Sequence, residues 1–142
     1  MQEIDLTTLT WQLFGWRPYT WRLGKSMETG STMQADIGPV PARAPGSVQQ
    51  ALRDAGILPD WNAGMNSLAC EWVEHRHWDF SVTLPAGAIA PGQRVLLDAQ
   101  GLDYSGWILV DCREIAAFKG ALTPHLFELT SALSDGNTHQ LS

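Results

Sequence analysis

An all-β sandwich carrying one short surface helix is the fold class this sequence predicts, and three observations predict it. Short apolar runs are punctuated by 13 glycines and 8 prolines. Trp78 to Leu84 alternates apolar and polar residues at period two. Only one stretch, Ser47 to Ala55, carries helical spacing between capping residues. At 142 residues a single domain over 1–142 is expected. An eight-fold strand-helix barrel, which takes roughly 200 residues or more, does not fit.

Leu9 to Leu13 and Thr20 to Leu23 read as strands near the amino terminus. Pro39, Pro41 and Pro45 then hold the chain extended and forbid an early helix start. Ser47 is the expected N-cap, with Gln50 completing a capping box and Val48, Ala51, Leu52 and Ala55 as the apolar stripe. Gly56 falls where a left-handed terminator belongs, with Ile57 folding back on Leu52.

In Trp78 to Leu84 one face holds Trp78, Phe80, Val82 and Leu84, which marks a half-buried strand. Continued backwards, the same face would bury Glu74 and Arg76, so the chain must break near His75 to His77. Leu68 and Trp72, four apart after an Asn66 or Ser67 cap, predict one or two helical turns feeding that break. Arg94 to Ala99, Trp107 to Val110, Glu114 to Phe118 and Leu126 to Leu129 are further strands, the fully apolar second one central. Asp135-Gly136-Asn137 is a tight turn that requires a strand after it, and only the five residues from Thr138 to Ser142 remain. The expectation is a domain truncated before its last strands.

Nine Lys and Arg against fifteen Asp and Glu give a net charge of -6, with the cations scattered, so nucleic acid is not an expected partner. No apolar run approaches the roughly 20 residues of a membrane helix. Met1-Gln2-Glu3-Ile4-Asp5 places acids where an export signal has basic and apolar residues, which favours a cytoplasmic location. Cys70 and Cys112 lack CxxC spacing and read as buried thiols. Seven tryptophans suit either a fold that packs large flat side chains or a surface that stacks on sugar rings.

From Pro41 onward several motifs fall in a recognisable order: Ala44-Pro45-Gly46-Ser47-Val48, Gly56-Ile57-Leu58-Pro59-Asp60, Gly64-Met65-Asn66, Trp72-Val73-Glu74 and Trp78. Gly101-Leu102-Asp103-Tyr104, Gly120, Thr123-Pro124 and Phe127-Glu128-Leu129-Thr130 follow. This order resembles the amino-terminal domain of glycoside hydrolase family 2, in its β-mannosidase-like branch. The resemblance implies a galactose-binding-like jelly-roll sandwich ahead of an immunoglobulin-like domain and a catalytic barrel. Trp61, His77 and Asp111-Cys112 depart from the pattern, the last at a turn where Asn-Gly is usual.

Retaining glycosidases need two carboxyl groups about 5 Å apart. In the resembled family both are glutamates of the barrel, so no catalytic residue is expected in this chain. Glu71 and Glu74 share a helical face but read as a solvated pair. His75 and His77 lack a third ligand at recognisable spacing, so no metal and no cofactor are expected. By the resemblance, the loop from Asp60 to Trp78 leans over a sugar site, with Trp72 or Trp78 stacking on a pyranose and Asn66 bridging hydroxyls. Alternation places Trp78 in the core; for Trp72 and Asn66 the binding and structural roles stay open. The expected function is a non-catalytic wall of a β-mannosidase-like sugar pocket, with carbohydrate and the following domains as partners. A free-standing carbohydrate-binding module and a structural packing domain are the alternatives.

Overall fold

The structure is a computed structural model that describes residues 2–142. In chain order these form β1 (Trp11–Trp16), β2 (Ile37–Ala42), α1 (Val48–Asp54), β3 (His77–Leu84), β4 (Leu96–Ala99), β5 (Ser105–Val110), β6 (Arg113–Lys119), β7 (His125–Glu128), α2 (Thr130–Leu133) and β8 (His139–Leu141). Short 3-10 segments occupy Leu6–Thr8, Thr20–Arg22 and Leu68–His75. The paired strands are antiparallel, and the all-β class holds. The chain divides into two compact units, Asp5–Ser81 and Val82–Ser142, the latter with the N-terminal residues to Ile4.

In the Asp5–Ser81 unit, β1 lies between β2 and β3. The first strand starts at Trp11 rather than Leu9, because the Asp5 carboxylate caps the Leu6–Thr8 turn. That turn offers its Leu6 carbonyl to the Trp11 indole N–H at 2.8 Å. Thr20 to Leu23 is not a strand. Tyr19 takes a left-handed φ of 65° and the Thr20 amide and hydroxyl both return to the Arg17 carbonyl, so the chain turns at Thr20–Arg22. The segment expected only to be extended is a true strand, β2. It is the terminal strand of its sheet, where proline's missing N–H leaves no ladder bond unmade.

Helix α1 follows the sequence closely. The Ser47 hydroxyl accepts the Gln50 amide at 3.1 Å. The amides of Gly56 and Ile57 return to the Arg53 and Leu52 carbonyls, both at 2.9 Å, which is a Schellman ending around the left-handed Gly56. The reciprocal arm of the capping box is not made: Gln50 Oε1 accepts the Arg53 guanidinium at 3.3 Å, while its Nε2 donates to Asp54 at 2.6 Å. Ile57 stays exposed and Leu58 takes the buried place. Leu68–His75 supplies the helical turns expected before the break, without either expected cap. Ser67 has helical angles and no capping bond, and the Asn66 side chain bonds Asp60.

Leu13, Val40, Ala51, Leu52, Leu58 and Val73 form the buried core of this unit, with Trp72, Trp78 and Phe80 packed on its edge. Gly15 makes room for the Trp78 ring: a Cβ there would lie 2.7 Å from Trp78 Cζ3 and 3.1 Å from Ile37 Cβ.

In the Val82–Ser142 unit, the end of β3 pairs with β8, Leu84 opposite His139. β8 lies between β3 and β5, and β5 between β8 and β6, so the apolar strand is interior as expected. The strand required after the Asp135-Gly136-Asn137 turn is β8. β4 and β7 make a separate two-stranded sheet, beginning at Leu96 rather than Arg94. Leu129 ends β7 early by leading into α2, which the sequence reading did not foresee.

Neither cysteine is a buried thiol. Cys70 is half-buried, and Cys112 is exposed. Asp111 and Cys112, with φ of 49° and 64°, are the two central residues of the β5–β6 hairpin. Two successive left-handed residues define the turn that Asn-Gly normally fills, so a side chain at 112 works against the backbone.

Two substitutions check these points by urea unfolding. Gly15→Ala should lower stability by about 1–3 kcal/mol through overpacking against Trp78. Cys112→Gly should raise the midpoint by about 1 kcal/mol equivalent at unchanged m.

Candidate functional site

The loop from Asp60 to His77 is organised from Asp60 outward. Its carboxylate accepts the Asn62 amide at 3.1 Å. Its carbonyl accepts the Ala63 amide at 3.2 Å and the Asn66 side-chain amide at 2.9 Å. Trp61 reaches back to α1, where the Arg53 guanidinium sits 4.7 Å from its ring centroid. Met65 and Leu68 stand exposed beside Asn66 on this loop.

The aromatic half of the site is set by Arg76. This residue is the extended link between the Leu68–His75 turns and β3. Its guanidinium bonds Asp36 at 2.9 Å, and Asp36 also holds Arg17 at 3.3 Å. The same guanidinium lies 5.7 Å from the Trp72 ring. Trp72 and Trp78 meet at 6.1 Å between centroids, tilted by 50°. The Trp78 indole N–H donates to the Val73 carbonyl at 2.8 Å, so its polar edge is spent on closing the turn before β3.

Trp72 and Trp78 are thus brought together, with Trp78 packed on the core as its alternation required. Asn66 belongs to a separate cluster of bonds around Asp60, where only its Nδ2 is used. Sequence reasoning missed Arg76 and Asp36, whose pairing spans 40 positions and leaves no local signal. It also missed the use of His77. The imidazole Nδ1 accepts the Trp21 indole N–H at 2.9 Å and the Tyr19 amide at 3.4 Å. Burial first, and the Arg22 charge second, hold its pKa below the ordinary histidine value. His75, Glu71 and Glu74 are exposed. Among the described residues no group of three or more His, Cys, Asp or Glu is placed to hold a metal ion.

These strands and this loop describe a β-module built around a tryptophan-rich flank. The family model for the glycosyl hydrolase 2 galactose-binding domain-like module matches residues 21–142. The chain belongs to that family. It is 30% identical over 103 residues to "Beta-mannosidase B" of Aspergillus clavatus, covering 72% of this chain and 12% of that protein. Over 104 residues it is 28% identical to "Beta-mannosidase" of Mus musculus, again 72% of this chain and 12% of the relative. Among solved structures, the β-glucuronidase from Ruminococcus gnavus bound to a C6-substituted uronic isofagomine matches with a TM-score of 0.59. That match has 14% identity and covers 99% of this chain and 22% of the other, which shows the fold.

Trp78→Phe keeps the ring contact with the core but leaves the Val73 carbonyl without its donor. A loss of about 1–3 kcal/mol in urea unfolding is expected. Lowering the pH from neutral should also cost stability at His77. Its pKa is depressed in the folded state, so its contribution is present above the unfolded value and declines as pH falls through the folded one. His77→Gln should remove that part of the acid dependence.

Proposed function

We propose that this module walls the sugar pocket of a β-mannosidase-like glycosidase and leaves bond-breaking to other domains of a longer chain. The observation that carries this reading is the family match over residues 21–142, together with β-mannosidase relatives of which the chain spans 12%. On this reading, the carboxyl pair belongs to another domain of the parent enzyme. Carbohydrate with a terminal β-linked sugar, mannoside first, is the substrate class.

Within the module, Asn66, Trp72 and Trp78 are assigned to the substrate side with different weights. Asn66 retains an amide oxygen that makes no bond within the chain, which suits a sugar hydroxyl donor. Trp72 offers a half-buried ring stiffened by Arg76. Trp78 supports Trp72 from the core side and touches substrate only through it.

The test compares the parent polypeptide with the isolated chain on a chromogenic β-mannoside. The parent should turn it over and the chain alone should give no rate above buffer; activity in the isolated chain would refute the division of labour. In the parent, Asn66→Ala should raise KM by about tenfold, the effect of one lost hydrogen bond.

A further inference from the structure

His139 is the first residue of β8, and its ring is 8% exposed. Both ring nitrogens face carboxylates. Nδ1 lies 2.7 Å from Asp111 Oδ2 and Nε2 lies 2.7 Å from Asp135 Oδ1. The two acids come from different turns, Asp111 from the β5–β6 hairpin and Asp135 from the turn that launches β8. Each is itself fixed by backbone. Asp111 Oδ1 accepts the Gln140 amide at 2.9 Å, and Asp135 accepts the Asn137 amide at 2.9 Å.

A neutral imidazole has one N–H and one bare lone pair. Set between two carboxylates at this distance, it would make one hydrogen bond and press a lone pair against the second anion. The doubly protonated ring donates to both, and each bond is charge-assisted. Among the described residues no other titratable side chain bonds the ring. Cys112 and Arg113, the neighbours of Asp111, make no bond to the ring, and the facing β3 residue is Leu84.

We propose that Asp111, His139 and Asp135 form a proton-loaded clasp that fastens β8 to the β5–β6 hairpin turn and loosens when the imidazole gives up its second proton. β8 has only three residues, and it joins β3 to β5. Its ladder next to β5 consists of a few bonds: the mutual Leu109 and Ser142 pair, and the Asp111 amide to the Gln140 carbonyl at 2.9 Å. So short a strand gains little from its own pairing, and the clasp supplies a contact at the end where it begins.

The electrostatic directions agree. Hydrogen bonds to Asp111, then to Asp135, raise the His139 pKa against the opposing effect of burial. The Asn137 amide, then His139 itself, bring Asp135 down to about 2. The Gln140 amide, then His139, lower Asp111. A raised histidine contributes fully below its unfolded value near 6.5 and loses that contribution as pH rises through the folded value. Lowered carboxylates contribute above their unfolded values near 3.9 and lose that contribution as pH falls through the folded ones. The clasp is therefore tightest from about pH 4 to about pH 6.5 and opens on the alkaline side.

The test follows the His139 ring nitrogens and the amide exchange of Asp111, Gln140 and Leu141 by NMR in the 142-residue chain, from about pH 5.5 to about pH 9. The ring should titrate above the ordinary histidine value. Protection at the three amides, corrected for intrinsic exchange, should fall about tenfold across that titration, the effect of one charge-assisted bond. In His139→Gln the same amides should show a flat profile. A midpoint at or below the ordinary value, a flat native profile, or an equal fall in His139→Gln would overturn the clasp. Should His139→Gln fail to fold, Asp135→Asn gives the answer. It should move the ring midpoint down, and an unmoved midpoint would overturn the proposal.

Discussion

Arg76 cannot follow Trp78 into the core, and the layout of the Asp5–Ser81 unit depends on that constraint. A guanidinium on the apolar face of a continuous strand would sit desolvated without a partner. The chain avoids this by ending its 3-10 turns at His75, extending through Arg76 and starting β3 at His77. Arg76 then turns outward to Asp36, while Trp78 turns inward over Gly15. The indole N–H of Trp78 closes the bend by bonding Val73. One forbidden burial thus separates a packed strand from the loop that precedes it, and the same side chain that causes the break steadies Trp72.

Elements written within a few residues were legible in the sequence. Helix α1 carries its N-cap, its apolar stripe and its terminating glycine within ten positions; the structure uses the cap, the glycine and Val48, Ala51 and Leu52 of the stripe, while Ala55 is the exposed C-cap. The break at Arg76 was legible because it follows from charge and period alone. Elements decided by distant partners were not. β2 looks only extended because prolines spoil the strand signal, and its pairing is granted by Trp11 and Leu13 some thirty positions earlier. Thr20–Arg22 has strand-forming residues, yet a left-handed Tyr19 and the Arg17 carbonyl bend it into a turn. Cys112 reads as a buried thiol by residue type, but the turn it occupies is fixed by two antiparallel strands, β5 and β6, that pair from Val110–Arg113 outward.

The candidate site divides along the same line. The core position of Trp78 was written in its alternation. Asn66 was legible as a polar group near a turn, but its partner, the Asp60 carbonyl, was not, since side-chain amides bond whichever oxygen the loop brings close. Asp36 carried no signal at all, because an ion pair across 40 residues has no sequence period.

Tryptophan usage and charge placement both act to hold large rings in fixed positions. Trp11, Trp21 and Trp78 each commit their N–H to a neighbour, and Trp61 and Trp72 each lie beside an arginine. Rings occupied in this way have surrendered the rotational freedom that a stand-alone lectin site would lose on binding, so they add stiffness to a surface. The pair of carboxylates around His139 belongs to the same economy of rigid placement, because there a short strand is held by charge instead of by length.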